Sequence, residues 1–280
     1  LVDVAIDTTP RGYRIVARPG AVTRRAVSLL GEDLDALEEA WEKTGGSERA
    51  VKLQAPGPIT LAAELELSNG HRGITDPGAV QDLAASLAEG VAVHRAEVAR
   101  RLGATVLVQF DEPDLPAALA GRLTGVTSLS PVHPVDESAA VALLDACVAT
   151  VGTEVLLHCC AAELPWNVLQ RSTIAAVSVD ASTLASADYD GIAEFVDSGR
   201  TVLLGVVPAS TPARKPSVDE VVTAAAAVAD RLGFARSVLV GHIGITPACG
   251  LAGATPQWAR SAIELAHRAA DKFTDDPDCA

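Results

Sequence analysis

The sequence predicts an α/β fold of barrel type, and three observations carry that expectation. From residue 50 onward, short apolar runs alternate with longer helical patterns. The short runs are apolar on both faces, as parallel strands covered by helices are. Residues able to do chemistry follow the carboxyl ends of these runs, and in a (β/α)8 TIM barrel those ends converge on one mouth.

The elements follow in order. Residues 1–6 read as the end of an element, and the turn Pro10-Arg11-Gly12 leads into an extended piece over 13–17. A helix is expected over 22–43, where Leu29, Leu30, Leu34, Leu37 and Trp41 recur at i+3 and i+4. Thr44-Gly45-Gly46-Ser47 breaks it. A strand over 50–54 runs into Ala55-Pro56-Gly57-Pro58-Ile59-Thr60, which reads as a loop too rich in proline for a helix. Asp76-Pro77 opens a helix to Leu102, with Asp at the cap and Pro at the first helical position, and Gly103 ends it.

The strand 105–110 carries Asp111-Glu112-Pro113-Asp114 on its carboxyl end, and 115–134 reads as irregular. A helix over 136–151 leads to the strand 154–160. A short helix near 164–170 precedes a strand over 175–179 that ends in Asp180. A helix over 189–198 precedes the strand 201–207, and an Ala-rich helix over 217–232 precedes a last strand at 237–243. The loop 244–251 follows, then Thr255-Pro256 caps a final helix to residue 273, and the acidic tail 274–280 frays.

Six strands fit a doubly wound sheet as well as part of a barrel. No glycine-rich phosphate loop follows any of them, which weighs against nucleotide binding. Position 1 is not methionine, and the chain opens in the apolar run Leu1-Val2-Asp3-Val4-Ala5-Ile6. The expectation is therefore a single barrel domain over residues 1–280 whose first two strands lie upstream of Leu1.

Composition narrows the function. A chain of 280 residues with 49% hydrophobic and 3% aromatic residues builds a large core of Ala, Val and Leu. The net charge of −14, with no basic patch, argues against a nucleic acid or an anionic membrane surface as partner. No apolar run approaches the ~20 residues of a membrane span, and no secretory pattern opens the chain. Five cysteines, an odd number without framework spacing, read as reduced thiols of a cytoplasmic protein.

The run Val155-Leu156-Leu157-His158-Cys159-Cys160 ends abruptly in metal-binding types. On a strand, His158 and Cys160 share a face and Cys159 points away. With Asp180 and Cys249 at other strand ends, they offer one nitrogen, two sulfurs and one oxygen, a set that suits Zn2+ and not Mg2+ or Ca2+. Cys147, inside a helix, reads as a small hydrophobe, and Cys279 in the tail as incidental. His71, His94, His133 and His267 need no functional account. His242, on the expected last strand near the mouth, is a candidate for supporting the site or for proton transfer. Asp111-Glu112-Pro113 taken alone is more often a turn or helix cap than a catalytic group.

Several ordered segments resemble the catalytic barrel of cobalamin-independent methionine synthase. Gly57-Pro58-Ile59-Thr60 resembles that family's G-P-V-T loop, and Gln109-Phe110-Asp111-Glu112-Pro113-Asp114-Leu115 its Q-I-D-E-P-A-L segment. His158-Cys159-Cys160 resembles its H-x-C zinc motif, and Thr246-Pro247-Ala248-Cys249-Gly250-Leu251 its N-P-D-C-G-L loop. Ser178-Val179-Asp180-Ala181-Ser182 aligns with the segment that carries its zinc-ligand glutamate.

The resemblance implies a (β/α)8 barrel in which Zn2+, held by His158, Cys160, Asp180 and Cys249, activates homocysteine. The thiol would take a methyl group from 5-methyltetrahydrofolate in methionine biosynthesis. It also implies that Asp111 receives the amino group of homocysteine, with Glu112 beside it in substrate binding. The sequence departs from the family in three places. Asp180 stands where a glutamate is expected, and Val206-Val207-Pro208-Ala209-Ser210 lacks the family's proton-transfer histidine. Leu61-Ala62-Ala63-Glu64 lacks its tryptophan near the folate. A methyl corrinoid donor, or a non-catalytic zinc- or thiol-binding barrel, are the alternatives. A metal-free barrel like uroporphyrinogen decarboxylase is disfavoured by His158, Cys160 and Cys249.

Overall fold

Residues 1–45, 50–127 and 131–276 are described by the structure, a computed structural model. Cys279 and residues 277–280 of the tail lie outside them, as do Gly46 and Ser47 of the helix-breaking stretch. The chain divides into two compact units, Leu1–Val155 with Ser172–Ile174, and Leu156–Arg171 with Ala175–Ala280.

In the first unit, β1 (Ala5–Thr9) and β2 (Gly12–Val16) form an antiparallel hairpin about the expected turn. Residues 1–6 therefore lead into a complete hairpin rather than closing an earlier element. Helix α1 (Ala21–Thr44) comes next and buries no residue completely. Its Leu34, Leu37 and Trp41 nevertheless pack against a cluster of Val98, Leu102 and Val106.

Strand β3 (Ala50–Pro56) leads directly into α2 (Pro58–Glu64). The proline-rich segment is thus a helix and not a loop. Pro58 sits in the first turn, where the N–H it lacks has no intrahelical partner to lose. The two-residue strand β4 (Leu65–Glu66) pairs in parallel with β2. Helix α3 (Pro77–Leu102) is capped by Asp76, whose side chain accepts from the Ala79 N–H at 3.0 Å. It ends at Gly103 with φ 59°, a left-handed stop that favours glycine.

Strand β5 (Thr105–Asp111) pairs in parallel with β3, setting Gln54 opposite Gln109 and Pro56 opposite Asp111. The short α4 (Leu115–Leu119) interrupts the stretch expected to be irregular. Helix α5 (Glu137–Val151), capped by Asp136, completes the unit and packs on α3.

The second unit alternates strand and helix, with one extra helical turn before the last strand: β6 (Val155–Cys159), α6 (Trp166–Arg171), β7 (Ala176–Asp180), α7 (Ser186–Asp197), β8 (Thr201–Val207), α8 (Val218–Arg231), α9 (Arg236–Leu239), β9 (Ile243–Pro247) and α10 (Pro256–Asp275). Strands β6 to β9 pair in parallel in chain order. Val155, Leu157, Val177, Val179, Val202 and Leu204 share one face of this sheet and are all fully buried, while the other face carries Leu156, Ala176 and Leu203 beside His158 and Ser178. Six parallel strands among the described residues, two in the first unit and four in the second, make this an α/β fold of the TIM type. Among the described residues no helix is long and apolar enough to cross a membrane.

One strand lies elsewhere than the sequence suggests. The apolar run at 237–240 belongs to the helical turn α9 and its C-cap, Val240, and the last strand begins only at Ile243. A four-residue apolar run carries no periodicity that separates a strand from a helical turn. Here the alternation Ile243-Gly244-Ile245 marks the strand.

Candidate metal centre

The ends of two strands, β6 and β9, bring three of the four expected donors together. His158 is the penultimate residue of β6, Cys160 follows its last residue, and Cys249 lies two residues beyond β9. The candidate ligand atoms of these three all lie within 4.8 Å of one another. The Cys160 and Cys249 sulfurs are 3.4 Å apart, as free thiols. Sulfurs on a tetrahedral zinc, each about 2.3 Å from the ion, would be separated by about 3.8 Å. The donor types and their spacing therefore fit a soft, four-coordinate metal.

The alternation of β6 orders these residues as expected. His158 is buried near Ser178, whose Oγ lies 3.2 Å from Nδ1, and the two residues are paired across β6 and β7. With Nδ1 engaged, Nε2 is the nitrogen that would ligate, the usual arrangement for a metal-bound histidine. Cys159 is fully buried in the core and outside the donor set. Burial, and after it the Cys249 thiol, push the Cys160 thiol up to about 11. The Cys160 thiol therefore resists ionisation until a cation joins it.

Gly205 seats Cys249. It lies on β8 at a register shift against β9, and a Cβ there would stand 2.6 Å from the Ala248 Cα and 2.6 Å from the Val179 carbonyl oxygen. The Ala248 N–H donates to the Val207 carbonyl at 2.8 Å. Only glycine lets the segment before Cys249 lie this close to β7 and β8.

Asp180 is not in the donor set. It ends β7, and its Oδ1 accepts from the Ser182 N–H at 2.9 Å and the Ser182 hydroxyl at 2.7 Å, capping the helical turn Ala181–Thr183. The carboxylate is close enough to raise the Cys160 pKa, and its Oδ1 is engaged by Ser182. Losing one methylene relative to glutamate favours this local cap over a reach to the metal.

His242 stands at the wrong end of its strand for the proton-transfer role. It precedes β9, and its carbonyl accepts from Val202 at the start of β8, whereas Cys249 lies past the carboxyl end of β9. The displacement of the last strand by several residues moves it from the expected mouth to the opposite end.

In the first unit, Asp111 ends β5 and holds two hydrogen bonds. Oδ1 accepts from Gln109 Nε2 at 2.7 Å and Oδ2 from Gln54 Nε2 at 3.1 Å. Glu112, one residue on, points away into the core with no exposed surface. Its carboxylate accepts from the Ile59 N–H at 2.9 Å, the Thr60 N–H at 2.8 Å and the Thr60 hydroxyl at 2.7 Å. These are donors at the start of α2, so Glu112, expected beside Asp111 in substrate binding, caps that helix. Gly57 leaves room for it, since a Cβ there would meet Glu112 Oε1 at 2.2 Å.

Burial pushes the Glu112 carboxyl up to about 7, against the hydrogen bonds from Thr60 and Ile59 that pull it down. A raised carboxyl favours the protonated fold. Its contribution is complete below the ordinary value of 4.5 and is lost as pH rises through about 7. Across that window, unfolding free energy should fall by about 3 kcal/mol in the wild type relative to Glu112→Gln. Urea unfolding at stepped pH checks this, and parallel pH curves for the two proteins would refute it.

Parallel strands with a His-Cys-Cys cluster at their carboxyl ends define a TIM-type barrel protein able to hold a soft metal ion. The chain belongs to the cobalamin-independent synthase family, whose catalytic-domain model matches residues 1–272. That membership makes it a methyltransferase of the cobalamin-independent synthase type. Among solved structures, a methyltransferase from Methanosarcina mazei is similar in fold, with a TM-score of 0.59 and 15% identity over 97% of this chain and 76% of that one. No curated protein matches this chain in sequence.

Sequence reasoning missed Ser178, Gly205, Gln54 and Lys52. The signal for Ser178 was present, because it shares a strand face with Asp180, two residues away.

Proposed function

We propose that this chain is a zinc-dependent S-methyltransferase that methylates a thiol, with homocysteine as the acceptor and 5-methyltetrahydrofolate as the donor, yielding methionine. The observation that carries this reading is the convergence of His158, Cys160 and Cys249 within 4.8 Å. When bound, Zn2+ would hold a substrate thiol as its thiolate at neutral pH, where a free thiol is mostly protonated. Three protein donors leave a fourth position for the substrate, as catalytic zinc sites do. Ser178 orients the His158 ring through Nδ1.

Asp111 would take the ammonium group of homocysteine, a role carried by family membership. Its two hydrogen bonds come from neutral amides and neither is an ion pair, an arrangement that suits a cationic partner. The reduced thiols suit a cytoplasmic setting.

A specific observation supports a second donor class. Ala62 and Ala63 of α2 are fully buried where the family carries its tryptophan near the folate. Residues 206–210 supply no histidine for proton transfer. A methyl corrinoid, which carries its own activated methyl group, would need neither.

The test mixes zinc-loaded protein and homocysteine with methyltetrahydrofolate or with methylcobalamin and measures methionine. Turnover with the folate supports the first reading, and turnover with methylcobalamin alone supports the second. Turnover with neither overturns both in favour of a binding protein.

A further inference from the structure

A row of polar side chains crosses β3 and β5 on one face. Lys52 and Gln54 alternate along β3, and Gln109 and Asp111 along β5, with Gln54 opposite Gln109. Lys52 Nζ donates to Gln109 Oε1 at 2.6 Å, and Gln109 Nε2 donates to Asp111 Oδ1 at 2.7 Å. Gln54 Nε2 donates to Oδ2 at 3.1 Å.

The chemistry of the first link decides the second. A lysine ammonium only donates, so the oxygen of Gln109 must face it. The Gln109 amide nitrogen is then turned to Asp111. The Asp111 carboxylate, which only accepts, favours the same orientation, and Lys52 reinforces it by holding the amide oxygen from the other side. Lys52 senses the Asp111 charge: partial desolvation lowers the lysine pKa, and Asp111 raises it.

We propose that Lys52 is a positioning residue for Asp111, fixing the Gln109 amide and through it the carboxylate that receives the ammonium group of the thiol substrate. The inference rests on the proposed function, and it makes Lys52 a determinant of preference for amino-acid thiols over thiols without an amine. Lys52 does not touch the substrate.

The experiment is calorimetric titration of zinc-loaded protein with homocysteine and with 4-mercaptobutanoate, the same molecule without its amino group. Wild type should prefer homocysteine. Lys52→Met should weaken homocysteine binding about tenfold, the scale of one charge-assisted contact, and leave 4-mercaptobutanoate unchanged. Lys52→Arg, which keeps charge and donor, should restore most of the preference. In an Asp111→Ala background, Lys52→Met should have no further effect.

Equal weakening of both thiols overturns the proposal, because it would mean contact with their shared carboxylate or general damage. Additive effects of Lys52→Met and Asp111→Ala also overturn it. Unchanged homocysteine binding in Lys52→Met sinks the role of Lys52 alone. Absence of any preference in the wild type sinks the assignment of Asp111 and the role of Lys52 together.

Discussion

Protein carrying Cys249→Ser is expected to lose its zinc on dialysis under conditions where the wild type keeps about one ion per chain. Zinc sites in small domains bind with about 10–16 kcal/mol. Shared among about four ligands, each is worth about 3 kcal/mol, or about 100-fold in affinity. Serine keeps the shape but offers a hard hydroxyl that stays protonated at neutral pH. Methyl transfer should fall further than affinity, because the ion both gathers the substrate and activates its sulfur.

The control is Cys159→Ala. Cys159 adjoins Cys160 in sequence but is fully buried and outside the donor set. That variant should keep stoichiometric zinc and lose only the stability of a small cavity, about 1 kcal/mol. Metal analysis by atomic emission decides between them. Zinc retained in Cys249→Ser, or lost in Cys159→Ala, would mean the donor set is wrong.

Gly205→Ala is expected to damage the same site without touching a ligand. The added methyl would lie 2.6 Å from the Ala248 Cα and 2.6 Å from the Val179 carbonyl oxygen. Both are backbone atoms, so no side-chain rotation relieves the clash, and β8 and the segment at 248 must separate. Overpacking of this kind costs about 1–3 kcal/mol. Cys249 is bonded to Ala248, and its sulfur now lies 3.4 Å from that of Cys160. Separation opens that spacing, and zinc affinity should drop about tenfold, within the range for residues that position ligands. Competition with a chromophoric chelator measures the affinity, and thermal unfolding of the metal-free protein measures the clash. Wild-type values in both would show that Gly205 has no part in seating Cys249.

Much of the fold was legible because its signals are local. The Asp76 cap, the Gly103 stop, the strand 201–207 and the helix after Ser217 each follow from a few adjacent residues. The misreadings fall where local signals compete. Proline argued against a helix at 55–60, yet Pro58 occupies the one part of a helix that tolerates it. An apolar run at 237–240 argued for a strand, and the strand began after it at Ile243.

The sequence by itself determined which donors exist and which strand ends carry them. The alternation of β6 already set His158 and Cys160 on one face and made Cys159 the bystander, because side-chain direction along a strand is a property of the backbone. Only the tertiary structure decided which polar atoms meet. Asp180 went to Ser182, Glu112 to the start of α2, and His242 to the far end of its strand, while Cys249 came within 3.4 Å of a residue 89 positions away. Hydrogen bonding and ligation act over about 3 Å. Periodicity fixes the face on which a side chain lies, and packing alone fixes what stands within that distance.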